Sequence, residues 1–246
     1  MTGRIALVTG GLGGIGSEIC RQLAQSGHRV IAADLPADAA RLTRFHAAMA
    51  GLDVHVESVD AGRFEECTTL VARVEKNHGP VSVLVNAAGI TRDASFRKMD
   101  AGLWDEVMRV NLDSVFNLCK QVVDGMCERG FGRIVNISSI VGQTGAFGQT
   151  NYAAAKAGMH GFTMALAREV ARKGVTVNSI SPGYIQTAMT DAIPEEQRQQ
   201  IIAAIPAGRI GKPEDIARSV VFLCDETTSY LTGVNLPVNG GLFISF

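Results

Sequence analysis

The sequence has few cysteines, no paired metal-ligand spacing and no long apolar run. Its 246 residues contain five cysteines, an odd number without C-x-x-C spacing, which predicts free thiols rather than disulfides or a zinc site. The five histidines are scattered and lack ligand spacing, so no metal is expected. The N-terminal residues lead directly into an apolar strand, which predicts no signal peptide. No apolar run reaches the ~20 residues of a membrane-spanning helix. We therefore expect a soluble, cytoplasmic protein without a membrane partner.

An excess of charge is also absent. Lysine plus arginine total 23 and aspartate plus glutamate total 24, which excludes a nucleic-acid binder that acts through bulk charge. Only 7 prolines accompany 27 glycines, and no Gly-X-Y period or Gly/Ser linker accounts for these glycines. We therefore expect many of the glycines at specific backbone positions.

Short β-branched runs alternate with longer helical patterns along the whole chain. The predicted strands are 4–9, 28–33, 53–59, 81–85, 133–137, 175–180 and 234–238. The predicted helices are 15–26, 37–50, 64–78, 105–129, 151–173 and 195–205. This alternation predicts an α/β fold: one domain over residues 1–246, with a doubly wound parallel sheet of about seven strands and helices on both faces. Residues 182–213 break the rhythm, and a small helical lid is expected near residues 185–210.

A glycine-rich turn, with the pattern T-G-x3-G-x-G, lies between the first predicted strand and the first predicted helix. Glycines let a backbone approach a pyrophosphate closely, and a helix N-terminus offers free N–H groups to it. The turn therefore indicates a dinucleotide site, with a plain strand–helix turn as the alternative. The residues expected to contact the cofactor here are Gly10, Leu12, Gly13, Gly14, Ile15 and Gly16.

Asp34 ends the second predicted strand, 18 positions after Gly16. A carboxylate there accepts hydrogen bonds from ribose hydroxyls and repels a 2′-phosphate. No Arg or Lys lies within residues 10–16 to hold that phosphate, so NAD(H) is favoured and NADP(H) is the alternative. Arg41 and Arg44 are the cations that can swing in from the next helix. A capping or loop carboxylate is the other interpretation of Asp34.

Tyr152 and Lys156 are four residues apart on a predicted helix and therefore share a face. Because an ammonium one turn away stabilises a phenolate, we expect Lys156 to lower the tyrosine pKa. The pair predicts a proton donor to a carbonyl oxygen, or an acceptor from an alcohol. Ser139 can hydrogen-bond the same substrate oxygen, and Asn111 can anchor a water beside the lysine.

Together these residues resemble the short-chain dehydrogenase/reductase family over essentially the whole chain. The matching motifs are T-G-x3-G-I-G at 9–16, N-A-A-G at 86–89, Asn111, Ser139, Y-x3-K at 152–156 and P-G at 182–183. The resemblance implies a Rossmann-like fold, a catalytic tetrad of Asn111, Ser139, Tyr152 and Lys156, and a homotetramer. It implies that Asp60 contacts the adenine and that Lys156 binds the nicotinamide ribose. The other implied cofactor contacts are Ala61, Asn86, Ala87, Ala88, Gly89, Tyr152, Pro182, Gly183, Ile185 and Thr187.

Within the family, the chain resembles bacterial acetoacetyl-CoA reductases first and 3-oxoacyl-(acyl carrier protein) reductases second. The stretches that carry this resemblance are 89–93, 96–99, 124–126 and 145–152. It implies reduction of short 3-oxoacyl thioesters, with acetoacetyl-CoA to 3-hydroxybutyryl-CoA, as in polyhydroxybutyrate-type metabolism, as the best choice. The implied substrate contacts are Asp93, Lys98, Ser139, Phe147, Gln149, Tyr152 and Tyr184. Two residues depart from the pattern: Ala146 replaces the usual glutamine, and Asp34 is an acid that NADPH-dependent members lack.

Three alternatives remain open from the sequence. A carrier-protein reductase needs a basic patch for its acidic partner, and Arg92, Arg97, Lys98 and Arg129 are the candidates. An NAD-linked dehydrogenase of another secondary alcohol uses the same tetrad. A non-catalytic dinucleotide-binding scaffold binds the cofactor without turnover. The apolar C-terminal stretch 239–246 predicts a subunit interface, or else packing onto its own core.

Overall fold

A single parallel sheet organises the molecule. The computed structural model describes residues 3–187, 190 and 194–244. Within these residues, seven strands pair in parallel in the order β3-β2-β1-β4-β5-β6-β7. The strands are β1 (Ile5–Thr9), β2 (Arg29–Asp34), β3 (Val54–Ser58), β4 (Val81–Asn86), β5 (Gly132–Ile137), β6 (Val175–Pro182) and β7 (Asn235–Val238). The predicted doubly wound sheet is confirmed.

Helices connect successive strands. They are α1 (Gly14–Gln25), α2 (Ala39–Ala48), α3 (Phe64–His78), α4 (Ala101–Met108), α5 (Ser114–Glu128), α6 (Val141–Thr144), α7 (Thr150–Val170), α8 (Glu195–Ala204) and α9 (Pro213–Cys224). The lid helix predicted at 195–205 is α8, although residues 188–189 and 191–193 of the predicted lid lie outside the described residues. The helices of the described part are too short or too polar to cross a membrane.

The helical stretch predicted over 105–129 is observed over residues 101–128, with Asn111 inside it. The helical segment begins earlier, at Ala101, because the side chain of Asp100 accepts a hydrogen bond from the Leu103 amide (2.9 Å) and caps it. It is then interrupted by a π-helical turn at Arg109–Asp113, which contains Asn111. The sequence interpretation also missed α9, whose first turn carries a proline and two acidic residues, a typical helix start.

The core lies on both faces of the sheet. Ile5 and Leu7 of β1 belong to one buried apolar cluster, and the alternate residues Ala6 and Val8 belong to the other. The first cluster includes side chains of α3, α5 and α7, and the second includes side chains of α1, α2 and α9. Because both faces are covered, the central strands β1, β4, β5 and β6 are buried along their whole length, as is typical of parallel sheets. All five cysteines are free thiols, and four of them are buried.

The strand order reverses between β1 and β4. The chain passes from β1 to β2 and β3 on one side, and then returns to β4 on the other side of β1. In such sheets a crevice opens beyond the carboxyl ends of the strands at the reversal, and ligands bind there. Thr9 and Asn86 are register partners at this edge. The glycine-rich turn, Asp34 and the N-A-A-G motif therefore all follow strand ends that border the crevice.

Candidate active site

The glycine-rich turn is shaped so that only glycine fits at two of its positions. Gly10 has a φ of +63°, and a Cβ there would lie 2.9 Å from the Ala87 carbonyl oxygen. A Cβ at Gly16 would overlap the carbonyl oxygen of Gly10. Thr9 Oγ1 fastens the turn to the next loop by accepting hydrogen bonds from the amides of Ala87 (3.2 Å) and Ala88 (3.3 Å). The side-chain-free cradle fits a pyrophosphate at the N-terminus of α1.

Asp34 closes one end of this cradle. Its Oδ2 accepts a hydrogen bond from the Leu12 amide (3.0 Å), and its Oδ1 accepts one from the Leu35 amide (2.9 Å). Arg41 Nη2 lies 3.2 Å from the same Oδ2. The structure therefore places the acid where a ribose is expected, and it places the nearby cation on that acid.

The loop after β3 is fastened to the helix pair α4–α5. Arg109 Nη1 lies 2.9 and 2.8 Å from the two carboxylate oxygens of Asp60. The carbonyl oxygen of Ala61 accepts a hydrogen bond from Asn117 Nδ2 (3.0 Å). The carboxylate that the resemblance assigns to the adenine is thus shared with an arginine.

Tyr152 and Lys156 lie on the first two turns of α7, on the same face, as predicted. Lys156 is 3% exposed, and its Nζ donates a hydrogen bond to the Ile137 carbonyl (2.8 Å) at the end of β5. Its Nζ lies 5.6 Å from the centre of the Tyr152 ring. A Cβ at Gly142 would lie 2.8 Å from the backbone of Lys156, so α6 packs directly against this part of α7.

Burial dominates the electrostatics of this pair. It raises the pKa of Tyr152, whereas a hydrogen bond with Ser139 lowers it and the charge of Asp93 raises it further. Burial lowers the pKa of Lys156 to about 8. In this structure the Lys156 ammonium is turned toward the Ile137 carbonyl, and burial outweighs the lowering contribution at Tyr152. That Lys156 lowers the pKa of Tyr152 stays a prediction. The phenol of Tyr152 holds its proton at neutral pH.

Asn111 lies next to Lys156, but its amide is occupied by the backbone. Its Oδ1 accepts from the Ile90 amide (3.2 Å), and its Nδ2 donates to the carbonyls of Ile90 and Val107 (2.9 Å each). A Cβ at Gly89 would lie 2.7 Å from Asn111 Oδ1 and 3.5 Å from Lys156 Nζ. Gly89 thus allows the π-helical turn and α7 to meet at the end of β4.

Polar side chains at the ends of β4 and β5 complete the floor of the crevice. Asn86 Nδ2 donates to Asn136 Oδ1 (2.8 Å), and Asn136 Nδ2 donates to Thr163 Oγ1 (2.9 Å) on α7. Ser139 follows β5, and its Oγ accepts a hydrogen bond from the Val141 amide (3.1 Å). These bonds fix the strand ends against α7, where the tyrosine and lysine are.

The geometry therefore matches the sequence resemblance, and comparison with known proteins agrees. A family profile described as enoyl-(acyl carrier protein) reductase matches residues 10–243. The chain is 54% identical over 243 residues to an acetoacetyl-CoA reductase of Allochromatium vinosum. These aligned residues make up 98% of this chain and 99% of the relative. The chain belongs to the short-chain dehydrogenase/reductase family. It is accordingly an oxidoreductase that uses a nicotinamide dinucleotide.

Two further relatives of this short-chain dehydrogenase/reductase bear on its substrate class. An acetoacetyl-CoA reductase of Cupriavidus necator is 51% identical over 243 residues, which is 98% of this chain and 99% of that one. A 3-oxoacyl-(acyl carrier protein) reductase of Haemophilus influenzae is 42% identical over 245 residues, which is 100% of both chains.

The segment after β6 lies over the glycine-rich turn of this reductase fold. Pro182 ends β6, and a Cβ at Gly183 would lie 2.9 Å from the Asn239 backbone. Ile185 is buried, and Thr187 Cγ2 would lie 3.0 Å from a Cβ at Gly14. The segment thus lies against the glycine-rich turn at Gly14. The cofactor contacts that the resemblance implies for Ile185 and Thr187 stay a prediction.

Of the residues expected at the substrate, Asp93 and Gln149 lie on two loops beside Tyr152, and the opening between these loops is called the mouth. Gln149 Nε2 donates to Asp93 Oδ2 (2.9 Å), which links the two loops that flank the mouth. Phe147 is 95% exposed and Tyr184 is 39% exposed, so both rings are free to contact a ligand. Lys98 is exposed on a short helical turn nearby.

Two of the four cations of the candidate basic patch are engaged by other groups of the chain. Arg92 is paired with Glu106 through two contacts of 2.8 Å. Arg129 donates to the Val81 carbonyl (2.7 Å) at the amino end of β4, on the opposite edge of the sheet from the site. Of the four candidate cations, Arg97 and Lys98 remain on the short helical turn beside the mouth.

Sequence reasoning missed Asn151, the residue before the tyrosine. Its Nδ2 donates to the carbonyls of Arg92 (3.1 Å) and Leu103 (3.2 Å), and its Oδ1 accepts from the Tyr152 amide (2.8 Å). It is fully buried and ties the start of α7 to the substrate loop. An asparagine at a helix start, adjacent to a candidate catalytic residue, was the available signal.

Proposed function

We propose that this short-chain dehydrogenase/reductase reduces the C3 ketone of acetoacetyl-CoA to 3-hydroxybutyryl-CoA, with NADH as its preferred reductant. The observation that carries the proposal is the hydrogen bond between Ser139 and Tyr152, at the crevice that holds the glycine-rich turn. The named relatives support the acyl-CoA substrate: two acetoacetyl-CoA reductases are 54% and 51% identical, against 42% for the carrier-protein reductase.

The chemistry divides between the cofactor and the protein. When bound, the reduced nicotinamide supplies a hydride to C3. Tyr152 donates its proton to the ketone oxygen, so that the carbonyl becomes a hydroxyl and the tyrosine becomes a phenolate. Ser139 donates a hydrogen bond to the same oxygen. From the family resemblance we assign Lys156 to the nicotinamide ribose, which its ammonium would bind on turning from the Ile137 carbonyl. On the same ground we assign Asn111 to the water path by which solvent returns a proton to Tyr152.

Cofactor preference rests on Asp34. Its carboxylate stands at the ribose end of the cradle and repels a 2′-phosphate. We expect kcat/KM to favour NADH over NADPH, and Asp34→Ala to erode that preference. Asp38→Ala is the control, because Asp38 caps α2 through the Arg41 amide without facing the cradle. A wild-type enzyme with higher kcat/KM for NADPH contradicts the assignment.

The substrate assignment is tested by steady-state reduction of acetoacetyl-CoA against acetoacetyl-carrier protein. We expect the CoA thioester to be used with higher kcat/KM, since Arg92 is paired and Arg129 lies across the sheet. A preference for the carrier-linked form would replace this proposal with the carrier-protein reductase. Faster turnover of an unrelated secondary alcohol, or binding of NADH without turnover of any of these substrates, would replace it with one of the other two alternatives.

We also propose that copies of the chain assemble, with the homotetramer as the expected form. Ile244 near the C-terminus is 75% exposed and Phe222 on α9 is 52% exposed, so both apolar side chains are available for a subunit contact. Residues 245–246 of the predicted interface lie outside the described residues. Light scattering of the wild type and of Ile244→Asp tests this: a wild-type monomer contradicts it.

A further inference from the structure

The π-helical turn carries two side chains that leave it in different directions. Arg109, its first residue, reaches the loop after β3 and contacts Asp60. Asn111, two residues later, contacts Ile90 and lies near Lys156. π-helical turns are rare and occur frequently at functional sites. This turn is therefore a short, direct connection between two ends of the cofactor crevice.

We propose that Arg109 is a positioning residue that couples the adenine end of the cofactor site to Asn111 at the catalytic end. The proposal rests on the proposed function for its kinetic readout only. Because β3 lies beyond β2, the loop after β3 is next to the ribose-binding end marked by Asp34. A cofactor that contacts Asp60 therefore restrains Arg109, and through Arg109 it restrains the π-helical turn that sets the position of Asn111.

Neighbouring groups hold the contact between Arg109 and Asp60 in place. One nitrogen of Arg109 lies between both oxygens of Asp60, and the Gly62 amide donates to Asp60 Oδ1 at 3.0 Å. A Cβ at Gly62 would collide with the guanidinium of Arg109 and approach its Cγ to 3.0 Å. The arginine thus lies flat on a position without a side chain, and Asn117 holds the same loop from α5.

The chain contains a matched control for this ion pair. Arg73 on α3 pairs with Glu57 on β3, with a closest approach of 2.7 Å. The side chains of Arg73 and Glu57 are 40% and 19% exposed, against 40% and 20% for Arg109 and Asp60. The two pairs therefore have similar solvent screening, although Arg63 also approaches Asp60 (3.4 Å). Only the pair of Arg109 with Asp60 is attached to the turn of Asn111. If the loss of any partly exposed ion pair were enough to change the protein, replacing Arg73 would have the same effect as replacing Arg109.

The first experiment uses no substrate. ADP-ribose, which has the adenine end but no nicotinamide, is added at saturating concentration, and amide hydrogen exchange is measured over residues 107–113. We expect ADP-ribose to slow exchange there in the wild type and in Arg73→Met, and this protection to be lost in Arg109→Met. Gly62→Ala, which displaces the guanidinium but keeps both charges, should lose it too. Arg109→Lys should restore part of it.

The second experiment measures affinity and turnover. NADH fluorescence titration should give a dissociation constant about fivefold higher for Arg109→Met than for Arg73→Met, the size expected from one exposed pair. At saturating NADH, kcat should fall while KM for acetoacetyl-CoA stays constant. Arg109→Lys should recover both the affinity and kcat in part.

Two results overturn the coupling. The first is that ADP-ribose does not change amide exchange over residues 107–113 in the wild type. The second is that Arg109→Met and Arg73→Met have the same protection by ADP-ribose, the same NADH affinity and the same kcat. If the wild type fails to reduce acetoacetyl-CoA while ADP-ribose still protects the turn through Arg109, the proposed substrate fails and the coupling stands.

Discussion

Burial raises the pKa of Tyr152 above the ordinary tyrosine value, which further favours the protonated phenol. Ketone reduction consumes a proton at the substrate oxygen, so the protonated phenol is the form that the forward reaction requires. Oxidation of the alcohol needs the phenolate instead. The electrostatics of this one residue therefore favour reduction near neutral pH and allow oxidation at more alkaline pH.

Replacing Tyr152 by Phe removes the proton donor while leaving the ring. We expect kcat for acetoacetyl-CoA reduction to fall by about 10²–10⁴-fold, the usual contribution of a general acid. NADH affinity, measured by fluorescence titration, should stay the same. The control is Tyr230→Phe, which alters a fully exposed hydroxyl and should change neither quantity. Near-normal kcat in Tyr152→Phe would remove this residue from the mechanism.

The charge of Lys156 gives a pH dependence in the same site. Its pKa of about 8 is below the ordinary value of a lysine, so the ammonium is present below pH 8 and is lost above it. We expect kcat/KM for NADH, which reports the free enzyme, to be level through neutral pH and to decline above about pH 8. A profile that stays level to pH 10 would show that the charge of Lys156 is not needed.

At the scale of elements, helix α7 contains one closely packed glycine and one glycine with free space around it. A Cβ at Gly158 would lie 3.0 Å from Leu112, whereas a Cβ at Gly161 would have no heavy atom within 4 Å. The first glycine lets α7 approach the π-helical turn. The second lies on the exposed side of the helix, where glycine only lowers helix stability.

Gly161→Ala should therefore stabilise the protein. Alanine is favoured over glycine in a helix interior by about 0.8–1.0 kcal/mol, which corresponds to a Tm increase of about 2–4 °C for a chain of this size. Gly174→Ala is the contrasting variant, because Gly174 has a φ of +75° and a Cβ there would overlap the Gly130 carbonyl. Calorimetry should show a higher Tm for the first and a lower Tm for the second. A lower Tm for Gly161→Ala contradicts the argument.

The elements also show what a sequence can and cannot reveal. Short β-branched and apolar runs predicted all seven strands that the structure describes, because the central strands bury both faces, while the edge strands β3 and β7 are only partly buried. The π-helical turn was not predictable, since it depends on the bonds that Asn111 makes to a loop 21 residues away. The ion pair of Arg109 with Asp60 spans 49 residues and leaves no local signal. Tyr152 and Lys156 were predicted because their spacing is local.

At the scale of the whole molecule, residues far apart in sequence meet only through the strand order. The turn at Gly10, the acid at Asp34 and the lysine of α7 come together because β1 is placed between β2 and β4. Glycine turns, helix ends and a few local cations at this edge provide the recognition of phosphates. The near-zero net charge of the chain is therefore compatible with a phosphate-rich cofactor. A cofactor that bridges these ends must stabilise the fold as a unit.

We propose that residues 1–246 unfold as one domain, which cofactor binding tests directly. NADH at one hundred times its dissociation constant should add about 2.7 kcal/mol to the free energy of unfolding, because it binds the folded chain alone. For a chain of 246 residues this raises Tm by about 5–10 °C. NADPH at the same concentration should raise it less, since Asp34 faces the 2′-position, and Tyr152→Phe should show the full NADH shift. Scanning calorimetry that resolves two transitions, only one of which moves with NADH, would show instead that the two halves of the sheet unfold separately.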